Sequence, residues 1–174
     1  GLGGLVRSKI QNHILKDFYG LEVLITPYII AHLKLALILK NWFYELQEGE
    51  RVPVYLTNSL DQSEDHGVIP FLREINEERK IAQEVILKKP ILVILGNPPY
   101  SGMSANKGVW IDGLLKSEYT RGDGSHDEGY YRVDGKPLGE RNSKWLQDDY
   151  VKFIRLAQWK VDKAGKGIIG FITN

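Results

Sequence analysis

The chain has 174 residues, 43% of them hydrophobic, and its 23 Lys and Arg stand against 22 Asp and Glu for a net charge of +1. This is the size and apolar content of one ordinary domain with a buried core, and the balanced charge neither marks a generally basic nucleic-acid binder nor excludes a local basic groove. The lack of cysteine excludes disulfides and thiolate metal sites and fits a reducing compartment, with the cytoplasm as default.

The chain starts at Gly1, its single Met is internal, and it stops at Asn174 just after the apolar run Ile168 to Ile172, a pattern expected of a fragment of a longer protein. Gly1-Leu2-Gly3-Gly4 has neither the preceding strand nor the spacing of a dinucleotide loop and reads as a linker. An amphipathic stretch from Leu5 to Lys16 predicts a helix, and Phe18 to Glu22 a short strand. Thr26 as cap and Pro27 at the first helical position open a second helix that runs to about Leu46 and ends by Gly49. Its apolar core, Ile29 to Leu39, is interrupted by His32 and Lys34 and falls short of the about 20 residues a bilayer requires; no signal peptide is visible.

Val52 to Thr57 is β-branched and aromatic, hence a strand, with Asn58-Ser59-Leu60-Asp61 as its polar exit. Pro70 to Lys88 predicts a charged helix with a narrow stripe at Leu72, Ile75, Ile81 and Val85. Ile91 to Leu95 is uninterrupted and apolar, the pattern of a strand buried on both faces of a parallel sheet. From 101 to 144 glycines and charges dominate without an apolar period, as in a long loop or insertion. Asp148 to Val161 predicts a helix with Val151, Ile154, Leu156 and Trp159 inward, stopped near Gly165, and Lys166 to Thr173 a last strand; Trp145 and Trp159, which bracket this helix, are expected in the core.

Alternating strands and helices predict an α/β fold with an open, mostly parallel sheet, whose ligands bind beyond the carboxyl ends of the strands. Glu22, Asn58 and Asn97 stand at or just past three such ends. Asn97-Pro98-Pro99-Tyr100, directly after the most apolar strand, carries the strongest chemical signal. An exocyclic amine conjugated to a purine ring is a poor nucleophile. The Asn97 side-chain carbonyl and the Pro98 backbone carbonyl can each accept one of its hydrogens and steer the lone pair outward. Two prolines stiffen the corner and contribute no backbone donor, and Tyr100 offers a flat face for an everted base.

These residues resemble the fourth motif, Asn/Asp/Ser-Pro-Pro-Tyr/Phe/Trp, of the amino-methyltransferases that modify adenine N6. The wider stretches Gly20-Leu21-Glu22, Val54-Tyr55-Leu56-Thr57-Asn58, Gly96 to Gly102, Asp134 to Asn142 and Lys144 to Arg155 are similar to the modification domain of single-chain type I-like (type ISP) restriction-modification enzymes. The resemblance implies that residues 1–174 are a fragment of one catalytic domain with a partial Rossmann-like methyltransferase fold, its first strand and glycine-rich motif lying upstream of Gly1. It implies adenine N6 methylation of double-stranded DNA with S-adenosyl-L-methionine, and nuclease, translocase and target-recognition domains as partners. Asn97, Pro98, Pro99 and Tyr100 would then face the target amine, Glu22 the donor's ribose hydroxyls, and Asn58, or in its place Asp61, the donor's adenine. Without the upstream motif the fragment alone is expected to be inactive. RNA or a protein glutamine as substrate, and a non-catalytic scaffold, stay open as alternatives.

His13, His32, His66 and His126 lack metal-ligand spacing, and Ser125-His126-Asp127 are adjacent side chains that cannot converge as a triad. Asp123 to Asp127 has Glu128 where a calcium loop needs glycine. Tyr119, Arg121, Tyr130, Tyr131, Arg132 and Lys136 alternate aromatic and basic character and read equally as a DNA-facing loop or an exposed insertion.

Overall fold

The computed structural model describes residues 2–62, 73–99, 104–116, 124–125 and 128–173. They fall into two compact units, one drawn from 1–59 and 67–87, the other from 60–66 and 88–174. Helices and strands are mixed, and the strands form small sheets, two of them parallel, an arrangement compatible with an α/β fold.

In the first unit α1 (Leu2–Lys9) continues through a π-turn (Ile10–Ile14) into the short α2 (Leu15–Asp17). β1 (Gly20–Glu22) follows, then α3 (Ile25–Asn41), β2 (Val54–Leu56) and α4 (Arg73–Lys88). β1 and β2 are parallel neighbours in the register Gly20 to Val54 and Glu22 to Leu56, with α3 packed on both. α3 starts two residues before the expected Pro27, so Thr26, expected as its cap, lies inside the helix; Leu24 is the N-cap residue and no side chain caps it. Glu22 Oε1 accepts from the amides of Val23 at 2.8 Å and Leu24 at 2.9 Å. Pro27 then sits in the first turn, where an amide hydrogen has no helical partner anyway.

The helix ends at Asn41 rather than near Leu46: Phe43 takes a left-handed φ of 57°, and the Tyr44 amide turns back onto the Leu39 carbonyl at 3.0 Å. That reversal buries Tyr44 with Ile10 and Leu39 in one small core. A second core joins Tyr55 of β2 to Ala82 and Val85 of α4, while the expected stripe residue Ile81 is 41% exposed.

In the second unit β3 (Val93–Gly96) pairs in parallel with β6 (Ile168–Phe171), and β4 (Arg132–Val133) with β5 (Lys136–Pro137) as a hairpin. β3 is not buried on both faces as expected: Val93 is 56% and Leu95 78% exposed, because the described pairing gives it one neighbouring strand instead of an enclosing sheet. The segment 101–144, read as a loop or insertion, contains α5 (Val109–Lys116), whose Ile111, Leu114 and Leu115 are buried, as well as the hairpin. Eight residues of helix are too short for their period to stand out among glycines and charges.

α6 (Asp149–Ala164) packs on α5; its cap, Asp148, accepts from the Tyr150 amide at 2.9 Å, and Gly165 closes it at a φ of 77°. Its inward face is not the predicted aliphatic stripe. Asp149, Lys152, Arg155, Ala157, Trp159 and Lys160 are buried, while Val151 and Ile154 are only half-buried. The charged residues turn inward because α5 and its approach present carbonyls and hydroxyls for them to meet. Leu114 lies in the last turn of α5, whose carbonyls have no partner within the helix, and Arg155 Nε donates to its carbonyl at 2.7 Å. Trp159 stacks edge-on against Trp110 at 5.5 Å, whereas Trp145, expected in the core, is 58% exposed in the short 3-10 helix Ser143–Gln147.

Candidate functional site

Asn97, Pro98 and Pro99 leave the carboxyl end of β3. The strand is locked up to that point, since Ile168 N donates to Leu92 O at 2.8 Å and Ile172 N to Gly96 O at 3.0 Å. Gly96 suits the close packing there: a Cβ would stand 3.1 Å from the Phe171 ring, which would have to shift by a few tenths of an ångström. Beyond it Asn97 is exposed, Pro98 buried and Pro99 exposed. No described residue hydrogen-bonds the Asn97 side chain, and the buried proline beside it fixes the backbone. Tyr100 lies outside the described residues, as do His66, Tyr119, Arg121 and His126.

Glu22 and Asn58 come together on the first unit's parallel pair. Thr57 N donates to Glu22 O at 2.8 Å, so Asn58 follows one residue past the point where the two strands are joined. Both side chains are half-buried. Glu22 Oε1 is held by the two amides of the α3 entrance, and Oε2 is bonded by no described residue, so the carboxylate is oriented with one oxygen available. The start of β2 is braced as well: His32 Nε2 lies 3.0 Å from Val54 O, Arg51 Nη2 donates to the same carbonyl at 2.8 Å, and Arg51 pairs with Glu78 of α4.

Asp61 belongs to the second unit and is half-buried, its Oδ1 3.6 Å from where a Cβ on Gly108 would stand. Among the residues that alternate basic and aromatic character, Tyr130 and Tyr131 are structural anchors: Tyr130 donates to Gln158 Oε1 at 2.9 Å and lies under the Arg155 guanidinium, and Gln147 Nε2 donates to the Tyr131 hydroxyl at 2.7 Å. Arg132 and Lys136 are exposed on the hairpin.

A buried polar cluster just downstream of the diproline corner has no counterpart in the sequence reading. Lys152, 1% exposed, donates to Ser104 Oγ at 2.7 Å and to the Asn106 carbonyl. Asp149, 8% exposed, accepts from Ser104 Oγ at 2.5 Å and Asn106 Nδ2 at 2.9 Å. Burial pulls the Lys152 ammonium below the ordinary lysine range, against the pull of Asp149 and the nearby Asp112 and Asp148. The available signal was Asp149, Lys152 and Arg155 at three-residue spacing on one helix face, a period that reads as a solvated stripe unless partners are known.

Comparison with protein-family descriptions and with curated proteins gives no match. Among solved structures, the chain is similar to the ATP-dependent type ISP restriction-modification enzyme LlaBIII bound to DNA, with a TM-score of 0.63 and 23% identity, over 96% of this chain and 11% of that one. It is also similar to DrdV in a DrdV–DNA complex, with a TM-score of 0.61 and 22% identity, over 98% of this chain and 16% of that one. At such identities the likeness is one of fold, and this chain has the fold of a small part of each of two much longer DNA-bound proteins.

Proposed function

We propose that the chain is the target-facing part of a Rossmann-like, S-adenosyl-L-methionine-dependent methyltransferase domain. It modifies adenine N6 in duplex DNA within a type ISP-like restriction-modification protein. The observation that carries this reading is the corner itself: Asn97, exposed and unengaged by described residues, stands at the carboxyl end of a parallel strand beside a buried proline. Further support comes from Glu22 and Asn58 standing at and just past the ends of the neighbouring strands β1 and β2, and from the fold shared with the two DNA-bound proteins.

The residues fit the donor. Glu22 has one carboxylate oxygen pinned and the other available, a geometry suited to accepting from vicinal ribose hydroxyls, and the half-buried Asn58 follows the strand next to it. When bound, the donor supplies an electrophilic sulfonium methyl. The chain's part in the chemistry is to accept two amine hydrogens, one on Asn97 Oδ1 and one on the Pro98 carbonyl, so that the amine lone pair is freed as the bond forms. Neither acceptor is a strong base, and the proton leaves to solvent after transfer.

The test is transfer of labelled methyl by the full-length protein to duplex DNA, RNA and protein, with nucleoside analysis of the product. The expected product is N6-methyladenine in DNA, reduced about 10²- to 10³-fold by Asn97→Ala with DNA binding retained. Label in RNA or in glutamine, or activity indifferent to Asn97, would overturn the assignment; no transfer at all would favour a scaffold.

A further inference from the structure

We propose that Arg51 and Glu78 stand in for a ladder rung on the outer edge of β2 and are thereby positioning residues for Asn58 in donor binding; this rests on the methyl-transfer reading above. Among the described residues β2 has one neighbouring strand, β1. Pro53 O and Thr57 N point towards it, bonded to Gly20 N at 2.9 Å and to Glu22 O at 2.8 Å. Peptide groups alternate in direction along a strand, so those of Val54 and Leu56 point the other way, to the open edge, where each needs a partner. Side chains meet them there. Arg51 Nη2 donates to Val54 O at 2.8 Å, Glu78 Oε2 accepts from Leu56 N at 3.4 Å, and Arg51 and Glu78 are themselves paired.

One residue of an adjacent parallel strand would make the same two bonds, its N–H to residue 54 and its C=O to residue 56. The ion pair supplies that donor and that acceptor from positions 27 apart in sequence. Both side chains lie against the strand: Glu78 is 14% exposed, and the Arg51 guanidinium carbon is 4.9 Å from the centre of the Tyr55 ring. The consequence falls on the exit of β2. Leu56 N is taken by Glu78 and the next amide, Thr57 N, by Glu22 O, so the chain is gripped from opposite sides at consecutive residues immediately before Asn58. Loss of Glu78 removes one of the two grips, and Asn58 then samples a wider range than a hydrogen bond to the donor tolerates.

The experiment compares Glu78→Ala, Glu78→Gln and Arg51→Met in the full-length protein. Hydrogen exchange of the peptide covering residues 54–58 reads the edge, calorimetry with S-adenosyl-L-homocysteine reads the donor site, and circular dichroism reports folding. Glu78→Ala and Arg51→Met are expected to speed exchange in that peptide about tenfold and to weaken binding of S-adenosyl-L-homocysteine about tenfold. KM for the donor should rise in step, with kcat at saturating donor within a factor of about 3 of the wild type. Glu78→Gln, whose amide oxygen still accepts from Leu56 N, should stay within about threefold of the wild type in exchange and in affinity.

Unchanged exchange in folded Glu78→Ala protein would overturn the edge contact. Faster exchange with unchanged affinity would overturn the positioning role and leave the methyltransferase reading intact, as would a loss confined to kcat. A wild-type protein that neither binds S-adenosyl-L-homocysteine nor transfers methyl would remove that reading, and the positioning role with it. Should Glu78→Ala or Arg51→Met fail to fold, the other decides the matter together with Glu78→Gln.

Discussion

Gly167→Ala is the sharpest perturbation of the frame behind Asn97. A Cβ at Gly167 would stand 2.7 Å from the Leu92 carbonyl oxygen and 3.0 Å from Val161 Cγ2. The first distance is about 0.6 Å short of the ~3.3 Å at which a carbon settles against a carbonyl oxygen. Neither neighbour yields easily: Leu92 O accepts the Ile168 amide at the start of the β3–β6 ladder, and Val161 is fixed in α6. Overpacking of this kind costs roughly 1–3 kcal/mol, and a strained ladder bond adds about 1 kcal/mol. For a chain of this length the sum lowers Tm by roughly 5–15 °C. Gly170→Ala is the control on the same strand. Its Cβ meets only Leu95 Cδ2 at 3.0 Å, the tip of a side chain 78% exposed and able to swing aside, so its effect should stay within about 0.5 kcal/mol. Thermal unfolding followed by circular dichroism ranks the two. If Gly170→Ala proves as damaging as Gly167→Ala, or both match the wild type, the placement of β6 against β3 is wrong, and with it the support beneath Asn97.

Three further outcomes follow from the packing. Arg155→Met removes the donor to Leu114 O and the contact with the Tyr130 ring; urea unfolding should show a loss of roughly 2–4 kcal/mol, and an unchanged midpoint would mean that the buried guanidinium contributes nothing net. Phe43→Gly relieves a fully exposed side chain held at a φ of 57° and should stabilise by up to about 1 kcal/mol, read as a rise in Tm. Lys160 is buried, and its pKa is lowered from 10.5 to about 8 by desolvation and the neighbouring Lys163. Between about pH 8 and 10.5 the unfolded chain binds this proton and the native chain does not, so its contribution to stability rises with pH across that window and is flat below it. Stability measured against pH should rise less steeply in Lys160→Met; an identical slope would show that the charge is not desolvated.

The elements that local chemistry dictates were legible in the sequence. Asp148 and Gly165 mark the two ends of α6 because a side-chain acceptor and a left-handed glycine act within a turn of themselves. The apolar β3 and the diproline corner after it follow from side-chain chemistry and fixed φ, and the pairing of β3 with a strand near the chain's end agrees with the predicted parallel arrangement. Asn97 could be singled out because its context, a strand and then two prolines, is local.

What required tertiary structure was the identity of distant partners. Nothing near Glu22 in sequence says that its carboxylate would turn onto the Val23 and Leu24 amides just ahead of α3, since that depends on where the chain turns out of β1. The inward face of α6 was misread for the same reason: hydrophobicity ranks Val151 and Ile154 above Lys152 and Arg155, yet the open carbonyls of Asn106 and Leu114 offer the cations what no aliphatic side chain can use. A sequence records each residue's own preference for water or for its neighbours along the chain. Only the folded chain decides which unsatisfied backbone group stands opposite, and a buried charge finds its place by that encounter.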